Sequence, residues 1–207
     1  MSPPQRASSR ESAAVLQFKV QLRDIQPAIW RRIQVPAAYT FWDLHVAIQD
    51  AMGWKDCHLH EFQLGEAGPP EPVRIGIPDD EFPGERPTLP GWKTDIAPHF
   101  TIKGARANYL YDFGDSWEHV LTFEGEYPRD RGRYPRCVAG ARACPPEDVG
   151  GPPGYEDFIA AVTDRDHEQH DDMLQWVGGS FDPETFAAER VSFDDPRTRW
   201  RLAFARR

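Results

Sequence analysis

The chain has 207 residues, enough for one large domain or two small ones with a buried core. Its hydrophobic content of 40%, with 7 Trp and 12 Phe, indicates an aromatic-rich core, and 20 Pro with 16 Gly predict many short elements and long connections. The formal net charge of −9 argues against broad, sequence-independent binding to nucleic acid, because the average field repels phosphates.

Residues 1–12 are polar and rich in Pro and Ser, and we expect a disordered leader there. The N-terminus lacks the charged-then-apolar pattern of a signal sequence, and no run approaches the ~20 apolar residues of a membrane span. The three cysteines, Cys57, Cys137 and Cys144, are odd in number and include no close pair, so disulfides are not expected. The sequence therefore predicts a cytoplasmic protein with no membrane partner.

After the leader, the residue pattern follows a strand-strand-helix-strand order. Alternation with a period of two indicates half-buried strands, interrupted at Pro27 and Pro36. Thr40 and Asp43 form a capping-box-like helix start, and Gly53 is the expected C-cap. The predicted elements are strands over 14–25, 29–35 and 58–64 and a helix over 41–52.

A Pro- and Gly-rich stretch follows over 66–98, which predicts a long connection that is extended only at 73–77. A loop over 128–153 carries an arginine cluster, and Pro183 after Asp182 predicts the start of a short helix. The remaining predicted elements are strands over 99–103, 107–113, 117–127 and 200–204 and helices over 155–163 and 167–177.

Strands and helices are segregated along the chain more than they alternate. This order predicts an α+β fold with a curved, mostly antiparallel sheet and helices clustered toward the C-terminus. We expect a single domain over 13–195, followed by a basic C-terminal segment over 196–207.

The stretch 111–119 (YDFGDSWEH) holds more polar chemistry than a strand-turn-strand requires. Asp112, Asp115 and His119 could converge on one side of the turn. The alternative is that the two aspartates stabilise the turn through side-chain-to-backbone bonds, with Trp117 in the core.

His58 and His60 would share one face of a strand, because side chains at i and i+2 project to the same side. Together with Asp115 and His119 they form a candidate site for a divalent metal with an open coordination position. Asp112 or Glu147 would then act as general base. The alternative is that both histidines line a polar strand face or satisfy buried backbone groups.

A wider candidate cleft lies between the 112–119 turn, the 58–60 strand and the 147–151 loop. Arginines of the 128–153 loop would supply positive charge for an anion or a nucleic-acid end, and we name Arg131, Arg133 and Arg136 as contacts. The cleft residues are His58, His60, Asp112, Asp115, Trp117, His119, Glu147 and Asp148.

Other chemistry is weakly represented. His167 and His170 lie among acidic residues at a predicted helix start, where solvated capping is the favoured interpretation. Ser116 sits in no nucleophile elbow, and no Walker or Rossmann glycine pattern is present. No catalytic residue is assigned.

Several segments carry a resemblance that covers roughly 14–195, nearly the whole chain. They are 29–32 (IWRR) with 35–36 (VP), 44–45 (LH) with 52–54 (MGW) and 58–60 (HLH), 111–119, and 144–151 (CPPEDVGG) with 154–155 (GY). In this order they resemble the Ri-plasmid open-reading-frame-three-like family.

The resemblance implies a compact α+β fold and no defined activity. Some members look like passenger genes of insertion elements and carry a resolvase label, but this sequence shows neither a nucleophilic serine in an Arg-rich domain nor a helix-turn-helix. Many members have Cys where this chain has Val149, so a cysteine-metal group with Cys137 and Cys144 is not expected.

The functional hypothesis is an accessory binding module associated with mobile elements, with an unknown protein or nucleic-acid partner. The alternative is a metal-dependent hydrolase that uses the His/Asp site. Whether the protein is an enzyme is left open.

Overall fold

The structure is a computed structural model that describes residues 14–65, 72–78 and 87–204. The predicted leader lies outside the described residues, as do parts of the predicted 66–98 connection and the last three residues of the basic C-terminal segment. No helix in the described ranges is long and apolar enough to cross a membrane.

One sheet forms the frame of the molecule, with the strand order β5-β4-β3-β6-β7-β1-β2-β8. Every neighbouring pair is antiparallel except β4 with β5. Helices lie mainly toward the C-terminus, so the predicted α+β fold with a mostly antiparallel sheet is confirmed. The strands are β1 (Ala14–Leu22), β2 (Trp30–Pro36), β3 (His60–Leu64), β4 (Val73–Gly76), β5 (Leu89–Pro90), β6 (Arg106–Tyr111), β7 (Trp117–Pro128) and β8 (Arg136–Ala141).

The first helix, α1 (Phe41–Met52), packs on the apolar face of the sheet. Its predicted capping box is present: the Thr40 hydroxyl accepts from the Asp43 amide, and the Asp43 carboxylate accepts from the Thr40 amide at 2.9 Å. Gly53 ends it in the left-handed conformation, with φ at 98°. The helix buries its apolar face against strand residues such as Phe62, whose ring centroid lies 5.1 Å from that of Phe41.

Three further helices follow, α2 (Gly151–Thr163), α3 (His170–Val177) and α4 (Pro196–Phe204). Single turns of 3₁₀ helix occur at Gly91–Lys93, Ala97–His99 and Ala188–Arg190. The helix α4 returns to α1, where Trp200 packs edge-on against Trp42 at 5.1 Å and Arg199 pairs with Asp50 at 2.6 Å.

Some predicted elements were wrong. The strand predicted over 200–204 is part of α4, the strand over 99–103 is a 3₁₀ turn followed by a loop, and the helix at Asp182 is only a turn. Strand β8 lies within the stretch predicted as a loop over 128–153. It was not predicted because its sequence, RCVAGA, lacks the polar-apolar alternation that indicates a strand. Its Gly140 is needed for packing, since a Cβ there would lie 2.3 Å from the Phe186 ring.

Candidate functional site

The turn between β6 and β7 presents one oxygen of Asp112. Asp112 takes a left-handed conformation, with φ at 54°, and its Oδ1 accepts from the Gly114 amide at 2.9 Å and the Asp115 amide at 3.3 Å. The carboxylate therefore stabilises the turn, as the structural alternative predicts. Its second oxygen, Oδ2, takes no part in these bonds and points toward His58.

The 144–151 loop docks on this turn. The Gly150 amide donates to Asp115 Oδ2 at 3.0 Å. Gly151 has φ at +69°, and a Cβ added there would lie 2.4 Å from the Asp115 carbonyl oxygen. Only glycine fits this contact without a backbone shift. The docking places Asp148 opposite Asp112.

The segment after α1 supplies the third side of the site. The Trp54 indole donates to the Pro145 carbonyl at 2.9 Å, and the Lys55 amide donates to Glu147 Oε1 at 2.7 Å. The Tyr111 hydroxyl donates to the same carboxylate at 3.1 Å and accepts from the Cys57 amide at 3.0 Å. These bonds hold Glu147 in place. They also fix the backbone at Cys57, so that the side chain of the following residue, His58, points at Asp112 and Asp148.

The three side chains that meet there, His58, Asp112 and Asp148, are called the outer site. His58 Nε2 lies 3.0 Å from Asp148 Oδ1 and 3.5 Å from Asp112 Oδ2, yet it is buried and makes no hydrogen bond with either oxygen. Their side chains are 28%, 72% and 11% exposed for His58, Asp148 and Asp112, so the site opens to solvent on the Asp148 side.

The outer site has the spacing of a metal centre. Ligand atoms bonded at about 2.1 Å lie about 3.0 Å apart around an octahedral ion and about 3.4 Å apart around a tetrahedral ion. An imidazole nitrogen facing two carboxylates is stable when a proton or a cation lies between them. One imidazole and two carboxylates suit Zn²⁺, Mn²⁺ or Fe²⁺, and three protein ligands leave positions for water or a further ligand.

His60 belongs to a different group, called the inner cluster, with His45, Asp56, Gln49 and Tyr109. The His45 and His60 rings stack in parallel, with centroids 3.4 Å apart and an interplanar angle of 8°. Both nitrogens of His45 are engaged, with the Tyr109 hydroxyl and with Asp56 Oδ1, each at 2.8 Å. Burial and the neighbouring His45 lower the pKa of His60 well below its ordinary value.

The inner cluster has three potential ligand atoms close together, from His45, Asp56 and His60, but not the geometry of a metal centre. Imidazole lone pairs lie in the ring planes, so one ion cannot lie in the planes of two parallel rings 3.4 Å apart. In addition, the Gln49 amide donates to the Tyr109 hydroxyl at 3.0 Å, which completes a chain of hydrogen bonds. The cluster is a polar part of the core.

His119 and Trp117 are buried on β7. His119 Nδ1 lies 3.1 Å from the Trp117 carbonyl and 3.3 Å from the Tyr109 carbonyl. Burial lowers the pKa of His119 to about 4, so the ring is neutral near pH 7.

The structure brings together part of the predicted cleft. His58, Asp112 and Asp148 meet, with Asp115 and Glu147 holding the surrounding loops. The predicted metal ligands His60, Asp115 and His119 do not join His58: among the described residues, neither close group of three potential ligands contains Asp115 or His119. The predicted strand face shared by His58 and His60 was wrong, because His58 lies in a bend before β3.

The arginines lie elsewhere. The 112–116 turn precedes β7 and the arginine loop follows it, so the 12 residues of this strand separate them by roughly 35 Å. Arg136 bonds to Gln34 and Asp130, whereas Arg131 and Arg133 are exposed. These side chains therefore do not flank the outer site.

Sequence reasoning placed Asp148 in the cleft without identifying it as a partner of His58, and it missed His45 and Asp56. The only local signal was the apolar spacing of α1, on whose buried face His45 lies. Asp56 carries no sequence signal, because its role depends on a left-handed φ of 58° and on distant partners.

Comparisons with known proteins agree with this architecture. Residues 14–190 match the family described as plasmid pRiA4b ORF-3-like protein. The uncharacterised protein y4hQ of Sinorhizobium fredii (strain NBRC 101917 / NGR234) is 36% identical over 193 residues, which cover 91% of this chain and 95% of that protein. The crystal structure of MM3350, a protein of unknown function from Methanosarcina mazei Go1, has a TM-score of 0.76 and 41% identity, covering 87% of this chain and 98% of that one.

The match extends over most of the chain, including the 112–119 turn, the 58–60 segment and the 144–151 loop that build the outer site. The chain belongs to the plasmid pRiA4b ORF-3-like family.

Proposed function

We propose that the protein is a binding module that holds a divalent cation at the outer site and uses its open coordination positions to bind a ligand. One observation carries the proposal. His58 Nε2 is buried without a hydrogen bond and faces carboxylate oxygens from two other segments, Asp112 and Asp148. Two carboxylates also balance the charge of a divalent cation.

The rim of the outer site supports a binding role. Phe113, at the tip of the turn, and Leu59, next to His58, are each 50% exposed. Apolar side chains beside a half-open polar site are typical of ligand-binding surfaces. A ligand that gives an oxygen to the cation would contact these apolar groups at the same time.

Hydrolysis is the second candidate, favoured by the open positions of the proposed ion. The carboxylates predicted as general bases are already in use, however. Glu147 accepts from the Tyr111 hydroxyl and the Lys55 amide, and Asp112 holds the turn. Burial, followed by the nearby Glu147, raises the pKa of Tyr111, which keeps its hydroxyl protonated. We therefore favour binding over catalysis.

We also propose that the module acts in the cytoplasm as an accessory to a mobile element. The family takes its description from a plasmid open reading frame. All three cysteines of the chain are free, which suits a reducing compartment. The partner, a protein or a nucleic acid, would bind at the cation.

Metal content tests the proposal. Tag-free protein is stripped with a chelator, incubated separately with Mn²⁺ and Zn²⁺, desalted and analysed by plasma mass spectrometry, and Mn²⁺ affinity is measured by calorimetry. We expect about one ion per chain at the outer site and its loss in His58→Ala.

His167→Ala is the matched control, because His167 is half-buried like His58 but belongs to neither the outer site nor the inner cluster. It should retain the ion. Absence of stoichiometric metal in the wild type, or equal retention by His58→Ala, would overturn the cation site. Turnover of phosphodiester or peptide substrates by the loaded protein would favour hydrolysis over binding alone.

A further inference from the structure

A groove of about 330 Å³ lies between α2 and α3 and begins at Asp148. We propose that this groove binds a basic peptide segment of a partner protein, with an arginine side chain over Trp176 and its guanidinium paired with Asp157. The inference names a partner for the binding module proposed above, but this contact does not require the cation.

The floor of the groove is apolar and aromatic. Trp176 is 48% exposed, and its ring packs edge-on against Phe158 with centroids 5.8 Å apart. Met173 also lines the groove. Packing against Phe158 holds one side of the indole, which leaves the remainder of the ring accessible. Such a surface accepts the methylene stem of a long side chain and attracts a cation over the ring face.

The rim carries negative charge. Asp148 and Asp157 line the groove, and no Lys or Arg is among the described residues that line it. The surrounding stretch 147–177 contains nine acidic residues and a single Lys or Arg, Arg165. A phosphate backbone or an acidic peptide would be repelled, whereas a basic peptide gains from the field.

Arginine fits better than lysine. Its planar guanidinium can stack on an indole and still donate to a carboxylate, while the lysine ammonium is a compact, strongly hydrated charge. The same chain contains a contact of this kind, since the Arg31 guanidinium lies 3.8 Å from the centroid of the Phe186 ring.

Fluorescence anisotropy tests the inference. The probe is a fluorescein-labelled Gly-Arg-Leu-Arg-Gly peptide, and its control is the same peptide with citrulline, an uncharged isostere, at both arginines. The wild-type protein, in buffer with a chelator, should bind the arginine peptide about tenfold more tightly than the citrulline peptide. Citrulline loses both the ion pair with Asp157 and the cation–π contact with Trp176, which together are worth about 1.4 kcal/mol.

Two variants locate the contact. Asp157→Asn should weaken binding about fivefold, and Trp176→Leu by a similar factor. Glu156→Gln removes the same charge from the preceding residue of α2, which is exposed but does not line the groove, and should change affinity by less than about twofold. Asp157 is exposed, so its variant retains the fold even if the Trp176 variant does not.

Equal affinity for the arginine and citrulline peptides would overturn the inference. So would equal losses in Asp157→Asn and Glu156→Gln, or tighter binding of a single-stranded oligonucleotide that competes with the peptide. Peptide binding that appears only after Mn²⁺ is added would assign the contact to the outer site, leaving the proposed function intact. Conversely, failure of the metal experiment would leave the groove inference standing.

Discussion

His58 and His60 are separated by one residue, but they lie in opposite environments. The ring of His60 is buried and stacked on His45, and the nearby Asp56 carboxylate is already paired with His45. The ring of His58 lies near the surface, and its Nε2 faces Asp112 and Asp148 without a hydrogen bond. Burial and ring stacking define a core histidine, whereas an unsatisfied nitrogen aimed at carboxylates defines a candidate ligand.

The largest expected effect is on the inner cluster. His45→Ala removes a fully buried ring and leaves the Tyr109 hydroxyl and Asp56 without their shared partner. We expect the free energy of unfolding to fall by about 3 kcal/mol, measured by urea denaturation. His99→Ala removes an exposed ring that also contacts Phe41 and should cost less than about 1 kcal/mol. Loss of the bound ion in folded His45→Ala would contradict the division between the two groups.

A comparable effect is expected from pH. His60 and His119 have lowered pKa values in the native state, so the unfolded chain binds more protons than the native one below about pH 6.5. The contribution of the two neutral histidines to the free energy of unfolding is therefore fully present above that pH. As the pH drops below it, the free energy of unfolding falls by about 1.4 kcal/mol per pH unit for each histidine. For His119, whose pKa is about 4, the loss reaches about 3 kcal/mol at pH 4.

Urea midpoints between pH 7.5 and 4 measure this slope. Acidic residues titrate in the same range, so the informative quantity is the difference between the wild type and His60→Gln, which removes one titrating group. The variant should lose less stability on acidification. Parallel curves for the two proteins would show that His60 takes up its proton as easily in the native state as in the unfolded chain.

Substitutions at the outer site should lower the affinity for Mn²⁺ and leave the free energy of unfolding nearly unchanged. Asp112→Asn keeps an Oδ1 acceptor for the Gly114 amide and tolerates a φ of 54°, so its free energy of unfolding should change by less than about 1 kcal/mol. Its Mn²⁺ affinity should fall at least about tenfold, as should that of Asp148→Asn. Asp115→Asn is the control, because Asp115 lies outside the outer site and the Asn amide oxygen can still accept from the Gly150 amide that docks the loop. Equal losses of Mn²⁺ affinity in Asp112→Asn and Asp115→Asn would contradict the assignment of Asp112, and not Asp115, as the ligand.

Sequence patterns predicted those parts of the fold that depend on residues close together in the chain. The capping box of Thr40 with Asp43 and the alternation of β1 and β7 each depend on neighbours in sequence. Two Asp-Pro pairs show where such reasoning ends. Asp182 and Asp195 both accept backbone amides, but only the second starts a helix, since Trp200 on its buried face has Trp42 to pack against.

The outer site was only partly predictable, because it depends on contacts between residues that are far apart in the chain. The polar excess of the 112–119 turn pointed to the region, and one residue from each of the three cleft segments, His58, Asp112 and Asp148, lies at the outer site. The ligand pairing depended on treating His58 as part of a strand. Instead, the Cys57 amide bonds to the Tyr111 hydroxyl, 54 residues away, and this contact turns His58 toward Asp148. No local pattern reveals a contact of that kind.

The smallest expected effect concerns the arginine loop. Charge reversal in Arg131→Glu/Arg133→Glu should leave Mn²⁺ affinity within about twofold of the wild type, because roughly 35 Å of β7 separates the loop from the outer site and the Debye length is about 8 Å at physiological salt. Lys55→Glu places the same reversal on the segment that holds Glu147 and should raise the affinity about threefold. Calorimetry at 0.15 M salt compares the two variants. A larger change from the distant pair than from Lys55 would show that these arginines approach the outer site in solution, and the cleft would then include them as the sequence predicts.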